Sequence, residues 1–250
     1  MDITLNGLVI GETKLTDTKR YIKVLTDTLG TISVVVHGAT SMKSKNLAPV
    51  RMFTYSSFIL NQRKDSFTLK EGSVIKSFFA LGSDPKKLAL ASYIASVAGY
   101  VSSEGEDMKA LLSLTLNSLY ALSESEKSTE LIKAVFELKC AVVIGFSPAL
   151  IACTHCSSDI AHGGYLFIND GEVVCEKCRD KIRPDEYEIT FYLPASIVSA
   201  MRYIVYSDIK KIFSFTLPQN ELEMLGEISE KYLQNHIETA FPALKVYKSL

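Results

Sequence analysis

Cys153-x2-Cys156 and Cys175-x2-Cys178 stand 18 residues apart in this 250-residue chain. No other feature constrains its folding as tightly. Two residues between cysteines allow a tight turn that aims both sulfurs at one point. Two such knuckles supply four thiolates in a tetrahedron, the arrangement of a structural zinc site. The insert from Gly163 to Gly171 reads as a small hairpin that brings the knuckles together. Cys153, Cys156, Cys175 and Cys178 are therefore expected to hold a structural Zn2+. A redox disulfide fits less well. One C-x-x-C after a strand would suffice for that, and no thioredoxin-like βαβ pattern surrounds these cysteines. His155 and His162 read as solvated loop residues, since four thiolates already saturate the ion. Cys140 falls in an apolar helical run and reads as core.

A saturated ligand set has no open position for water, which argues against a catalytic metal. Neither knuckle is the P-C-x-x-C of zinc deaminases, and no G-x-S-x-G, P-loop or G-x-G-x-x-G occurs. No enzymatic activity is expected. Hydrophobic residues make up 47% and charged residues 22%, an ordinary globular composition that excludes a disordered or collagen-like chain. No stretch approaches the roughly 18 uninterrupted apolar residues of a membrane helix. Met1-Asp2-Ile3-Thr4 has neither a basic region nor an apolar run, so no signal peptide is expected. The chain should stay in the cytoplasm, where thiols are kept reduced.

The net charge of −1 hides a split. Up to Gly82 there are 11 Lys/Arg and 6 Asp/Glu, a net of +5; beyond it there are 16 and 22, a net of −6. The pattern changes at the same place. Residues 1–80 hold five strand-like runs, Ile3–Ile10, Tyr21–Thr26, Thr31–His37, Phe53–Leu60 and Phe67–Phe78, the last interrupted at Gly72. Five short strands without a long helix suggest a small closed barrel or sandwich. An oligonucleotide-binding barrel fits the count, and so does an SH3-like one. Asp84-Pro85 is a helix start, with Asp as N-cap and Pro at the first helical position. Helices are expected from there to about Val101, over about Asp107–Leu122, and from near Ser128 to a stop at Gly145 and Pro148. Two more are expected over about Ala195–Tyr206 and Asn220–Ile237. The chain is thus α+β. Its expected domains are 1–82 and 83–250, with a metal-binding insert at about 150–180 and a linker at Leu81–Asp84.

Basic residues gather around two connections of the first domain. Lys14, Lys19, Arg20 and Lys23 lie near the first turn; Lys43, Lys45 and Arg51 lie around the third. Small barrels hold nucleic-acid backbone with such loops and stack bases on groove aromatics. Phe53, Tyr55 and Phe58 are candidate stackers, although strand alternation puts at least some of them in the core, and the core is the favoured place for Phe53 and Phe58.

The order of features resembles the RecO family of bacterial DNA repair proteins. The most specific part is Ile144-Gly145-Phe146-Ser147-Pro148-x-Leu150, Cys153-x2-Cys156, Tyr165-Leu166-Phe167-Ile168-x-x-Gly171 and Cys175-x2-Cys178. Gly7-Leu8-Val9-Ile10, Thr26-Asp27-x-x-Gly30-x-Ile32-Ser33 and His37-Gly38-Ala39 also match. Thr40 stands where the family more often has Arg or Lys, and the basic charge is displaced to Lys43 and Lys45. The resemblance implies an N-terminal OB-fold barrel and a helical domain carrying the zinc. It also implies a nucleoid-associated mediator of recombinational repair that binds single- and double-stranded DNA. Such a mediator anneals complementary strands and helps load recombinase onto DNA coated with single-strand-binding protein. The implied partners are RecR and the acidic C-terminal tail of single-strand-binding protein. The other reading of the residues is a zinc-ribbon factor of transcription or RNA metabolism.

Overall fold

The computed structural model describes residues 1–16, 19–38, 44–64, 66–182 and 188–250. The chain divides into two compact units, residues 1–125 with 241–250, and residues 126–240.

The first unit begins with β1 (Asp2–Lys14), β2 (Lys19–Thr26), β3 (Thr31–His37), β4 (Thr54–Arg63) and β5 (Ser66–Ser77). They close into a barrel in the order β1-β2-β3-β5-β4. All pairings are antiparallel except β3 with β5, which meet in parallel at Val34–Phe67 and Val35–Thr68. This is the five-stranded barrel of the oligonucleotide-binding type. Alternation fills it: Val9, Ile22, Val24, Ile32, Val34, Phe58 and Leu60 are buried together. Phe53 and Phe58 are both in the core, for different reasons: Phe58 belongs to the inward row of β4, whereas Phe53 precedes that strand with φ +59°, so its burial does not come from alternation.

The expected interruption of the fifth strand at Gly72 does not occur. β5 runs through Gly72, and the register instead slips on either side of it, opposite Ile59/Leu60 and Tyr55/Ser56. Gly72 has a different role. A Cβ there would stand 2.7 Å from Pro49 Cβ, so glycine admits the crossing segment. Asn46 fastens that segment to β5: its side chain accepts from Gly72 N–H at 3.0 Å and donates to the Lys70 carbonyl at 3.2 Å.

Residues 79–83 form a 3-10 turn rather than an open linker, and α1 (Pro85–Val101) follows. The Asp84 carboxylate accepts from Lys86 N–H (2.9 Å) and Lys87 N–H (3.1 Å), the N-cap that Asp84-Pro85 foretells. After α2 (Lys109–Glu124), the short α7 (Pro242–Lys248) returns to the first unit and packs on α1. Seven residues give too little periodicity for α7 to be read from sequence. Its anchor is Phe241, edge-on to buried Tyr93 at 5.8 Å.

The second unit is built on α3 (Thr129–Val143), α5 (Ala195–Tyr206) and α6 (Gln219–Ile237), with a three-stranded sheet in the order β7-β6-β8. The strands are β6 (Gly163–Phe167), β7 (Val173–Val174) and β8 (Thr190–Pro194), and the single turn α4 (Glu176–Arg179) follows β7. The third strand, β8, is not evident in the sequence. α3 ends as Gly145 and Pro148 require. Gly145 takes φ +99°, and the N–H groups of Gly145 and Phe146 reach back to the carbonyls of Val142 and Ala141.

α3 and α6 are also joined by charge. Buried Lys133 donates to Glu137 at 2.9 Å and to Glu230 at 2.7 Å. Its ammonium is costly to bury, but the two carboxylates outweigh that cost and hold its pKa above the ordinary lysine value. Lys139 donates to the carbonyls of Val205 and Ser207 and so caps the C-terminal end of α5. No helix among the described residues is long and apolar enough to cross a membrane.

Phe58 is fully buried in the barrel core. Phe58→Ala should cost about 3–5 kcal/mol of stability, read by denaturant unfolding. A loss under about 1 kcal/mol would mean that the barrel does not depend on this side chain.

Candidate metal centre and nucleic-acid interface

The two knuckles come from different local causes. At the first, Ser157 adopts φ +59°, and its N–H donates to the Cys153 carbonyl at 2.9 Å. The Cys153 N–H in turn donates to the Ser158 carbonyl at 2.8 Å. At the second, Cys175 precedes α4, whose first turn carries Cys178. The β6–β7 hairpin brings the knuckles together, and Thr154 N–H donates to the Val173 carbonyl at 3.0 Å. Arg179 spreads its guanidinium over Tyr165 and Phe167, at 5.5 and 5.6 Å. Arg202 on α5 donates to the carbonyls of Leu150 (2.7 Å) and Ile151 (2.9 Å) and braces the approach to the first knuckle.

The sulfurs of Cys153, Cys156, Cys175 and Cys178 all lie within 4.8 Å of one another, and those of Cys156 and Cys175 are 3.7 Å apart. Four sulfurs about 2.3 Å from a tetrahedral centre stand about 3.8 Å apart, so the set fits a metal ion. Cys153 and Cys178 are buried, Cys175 is half-buried and Cys156 is exposed. Without a cation the four thiols share charge unevenly. The Ser158 hydroxyl 3.3 Å away leads in holding Cys156 down to about 6, while burial leads in pushing Cys178 up to about 12. Only a cation lets all four ionise together. His155 and His162 are exposed and stand outside the cluster. Cys140 is fully buried, and burial pushes its thiol up to about 12.

Among the described residues, the basic side chains of the first unit do not form one patch. β2 alternates, with Ile22 and Val24 inside and Lys19, Tyr21 and Lys23 outside. Opposite these on β3 stand His37, Val35 and Ser33. Lys19 lies over the Tyr21 ring at 5.9 Å. Lys14 is exposed at the end of β1, paired in register with Arg20. Arg20 is committed elsewhere: its guanidinium donates to Glu12 at 2.6 Å. Lys45 and Arg51 are exposed on the segment that Asn46 ties to β5, and Arg51 lies over Phe79 at 5.6 Å. Lys43 lies outside the described residues. Tyr55 is half-buried.

Two features of this face escape a reading of the basic clusters. Tyr21 is an exposed aromatic on the strand 2–3 surface, where such barrels bind oligonucleotides. Its signal was the alternation from Lys19 to Val24. Arg63 and Lys64 are exposed at the β4–β5 turn, which the Val34–Phe67 pairing places beside β3. Nothing local in the sequence announces that neighbourhood.

The chain matches the family model "Recombination protein O N terminal" over residues 1–78 and "Recombination protein O C terminal" over residues 82–245. It is similar to the DNA repair protein RecO of Acetivibrio thermocellus, 29% identical over 98% of this chain and 96% of that protein. It is also similar to the DNA repair proteins RecO of Alkaliphilus metalliredigens, 25% identical over the full length of both, and Caldicellulosiruptor bescii, 24% identical over 98% of each.

Cys175→Ala should remove bound metal, read by elemental analysis, and lower the melting temperature by about 10 °C. Retention of a full metal equivalent would show that these sulfurs are not the ligands.

Proposed function

Because the chain belongs to the recombination protein O (RecO) family of DNA repair proteins, we propose that it is a DNA-binding mediator of recombinational repair. In this reading it anneals complementary strands and helps load recombinase onto DNA coated with single-strand-binding protein. The observation that carries the reading is the outward row Lys19, Tyr21 and Lys23 on the barrel. Two ammonium groups flank an exposed ring, so phosphates and a base can be engaged together. Arg63 and Lys64, at the turn beside β3, add to this charge; Lys14, in register with Arg20, stands off the row, and Lys43, Lys45 and Arg51 supply a second basic stretch of the sequence. Arg20 acts less directly, through Glu12. Annealing follows when two strands are held by their phosphates with their charge neutralised and their pairing edges free.

The proposal divides the chain by charge. Residues 1–82, at +5, hold DNA; residues 83–250, at −6, hold partners. The partners are RecR and the acidic C-terminal tail of single-strand-binding protein. The ion is zinc, held by Cys153, Cys156, Cys175 and Cys178, because four thiolates in a tetrahedron suit that metal. With all four positions taken by sulfur, zinc has a structural role: it fixes the hairpin and, through Arg179 and Arg202, its setting against α5.

The test is annealing of complementary single strands, with and without single-strand-binding protein, at rising salt. Binding should weaken by about 0.7 log units per log unit of salt for each phosphate contact. Lys19→Glu should weaken binding to single strands and duplex alike. Salt-independent binding, or a preference for RNA, would overturn the reading.

A further inference from the structure

The outer surface of β1 and β2 continues into a groove of about 450 Å³ against α1, within the size range of small-molecule sites. One wall is Ile10 to Thr13 with Lys23; the other is Ser96, Gly99 and Tyr100, closed by Phe241. Glycine keeps it open. Gly11 pairs with Lys23, and a Cβ on Gly11 would reach within 3.4 Å of Lys23 Cβ, where any longer side chain would fill the groove. Gly99 lets Ile10 pass close, since a Cβ there would stand 2.9 Å from Ile10 Cδ1. The register slip between Val9 and Gly11 bends β1 at this point.

Tyr100 gives the groove its chemistry. It is 57% exposed, an unusual position for a large ring on a packed helix. Yet its orientation is set: it meets the Phe241 ring edge-on at 5.8 Å and 87°, and Phe241 is itself held by Tyr93. A ring that is exposed and pre-oriented is a stacking platform that loses little freedom on binding. Lys23 belongs both to this groove and to the outward row on β2. The Glu12 carboxylate in the same wall is engaged by Arg20.

We propose that this groove takes one nucleotide of a single DNA strand, its base stacked on Tyr100 and its phosphate on Lys23. The inference rests on the DNA-binding reading and deepens it. A strand lying along Lys19 and Tyr21 reaches the groove by way of Lys23. A paired base cannot enter, because its plane is already occupied on both sides within the duplex. The groove therefore discriminates single strands from duplex.

The test is fluorescence anisotropy with a labelled oligodeoxythymidine and a duplex of equal length. Tyr100→Ala should weaken the single strand about tenfold and leave the duplex within about twofold. Tyr100→Phe should bind both as the wild type does, since it keeps the ring. Gly11→Val should reproduce the single-strand loss by filling the groove. If Tyr100→Ala binds the single strand as the wild type does, or loses both DNAs equally, the groove assignment falls. Lys19→Glu separates the two claims. If it weakens both DNAs while Tyr100→Ala changes nothing, only the groove assignment fails; if wild-type protein binds neither DNA, the underlying reading fails with it. Competition by free thymidine monophosphate at the same concentration as the strand would overturn the strand as ligand in favour of a free nucleotide.

Discussion

Two parallel residue pairs close the barrel, Val34 with Phe67 and Val35 with Thr68. Every other strand contact in it is an antiparallel ladder between neighbours that a hairpin or the first strand can supply. These two pairs bring a late strand beside an early one, and they remove the edges that β3 and β5 would otherwise expose. The outer face of β2 and β3 depends on them. They fix which side of β2 and β3 is outside, and they set the β4–β5 turn with Arg63 and Lys64 beside β3. Valine and phenylalanine at this seam bind it to the same buried cluster as Phe58 and Leu60.

In the second unit, charge and thiol chemistry play the corresponding part. Lys133 is shared by Glu137 from its own helix and Glu230 from α6, so it specifies how α3 meets α6. Removing one member of such a set is costlier than never having built it, because the others remain buried. The four cysteines impose a similar condition on the hairpin. Their sulfurs stand at the spacing of tetrahedral ligands, so the set fits a metal ion. Both devices exchange plain apolar packing for a defined register.

Elements with a strong local cause were legible in the sequence. The Asp84-Pro85 start, the Gly145 stop and the alternation of β2 each follow from one or two residues and their immediate neighbours. The same holds for the cysteine knuckles, whose spacing is a local property. What escaped had no local cause. α7 is too short to show a period and exists because Phe241 meets Tyr93. β8 exists because β6 offers an unpaired side. Gly72 read as a break, because its reason, the approach of Pro49, lies 23 positions away in the chain.

The seven basic candidates show the same division. Sequence supplied their identity and the positive balance of the first 82 residues, because charge is a property of composition. It could not say that Arg20 is spent on Glu12, that Arg51 lies over Phe79, or that Lys23 lines one groove with Tyr100. Those outcomes follow from strand register, which a one-residue slip would invert. By itself, then, the sequence determined the family resemblance, the strand runs of the first domain, the helices with strong caps and the two cysteine knuckles, all of which are encoded over short range. Tertiary structure alone decided which side chains share a face, since barrel closure and the return of the chain end bring together residues that have no local reason to meet.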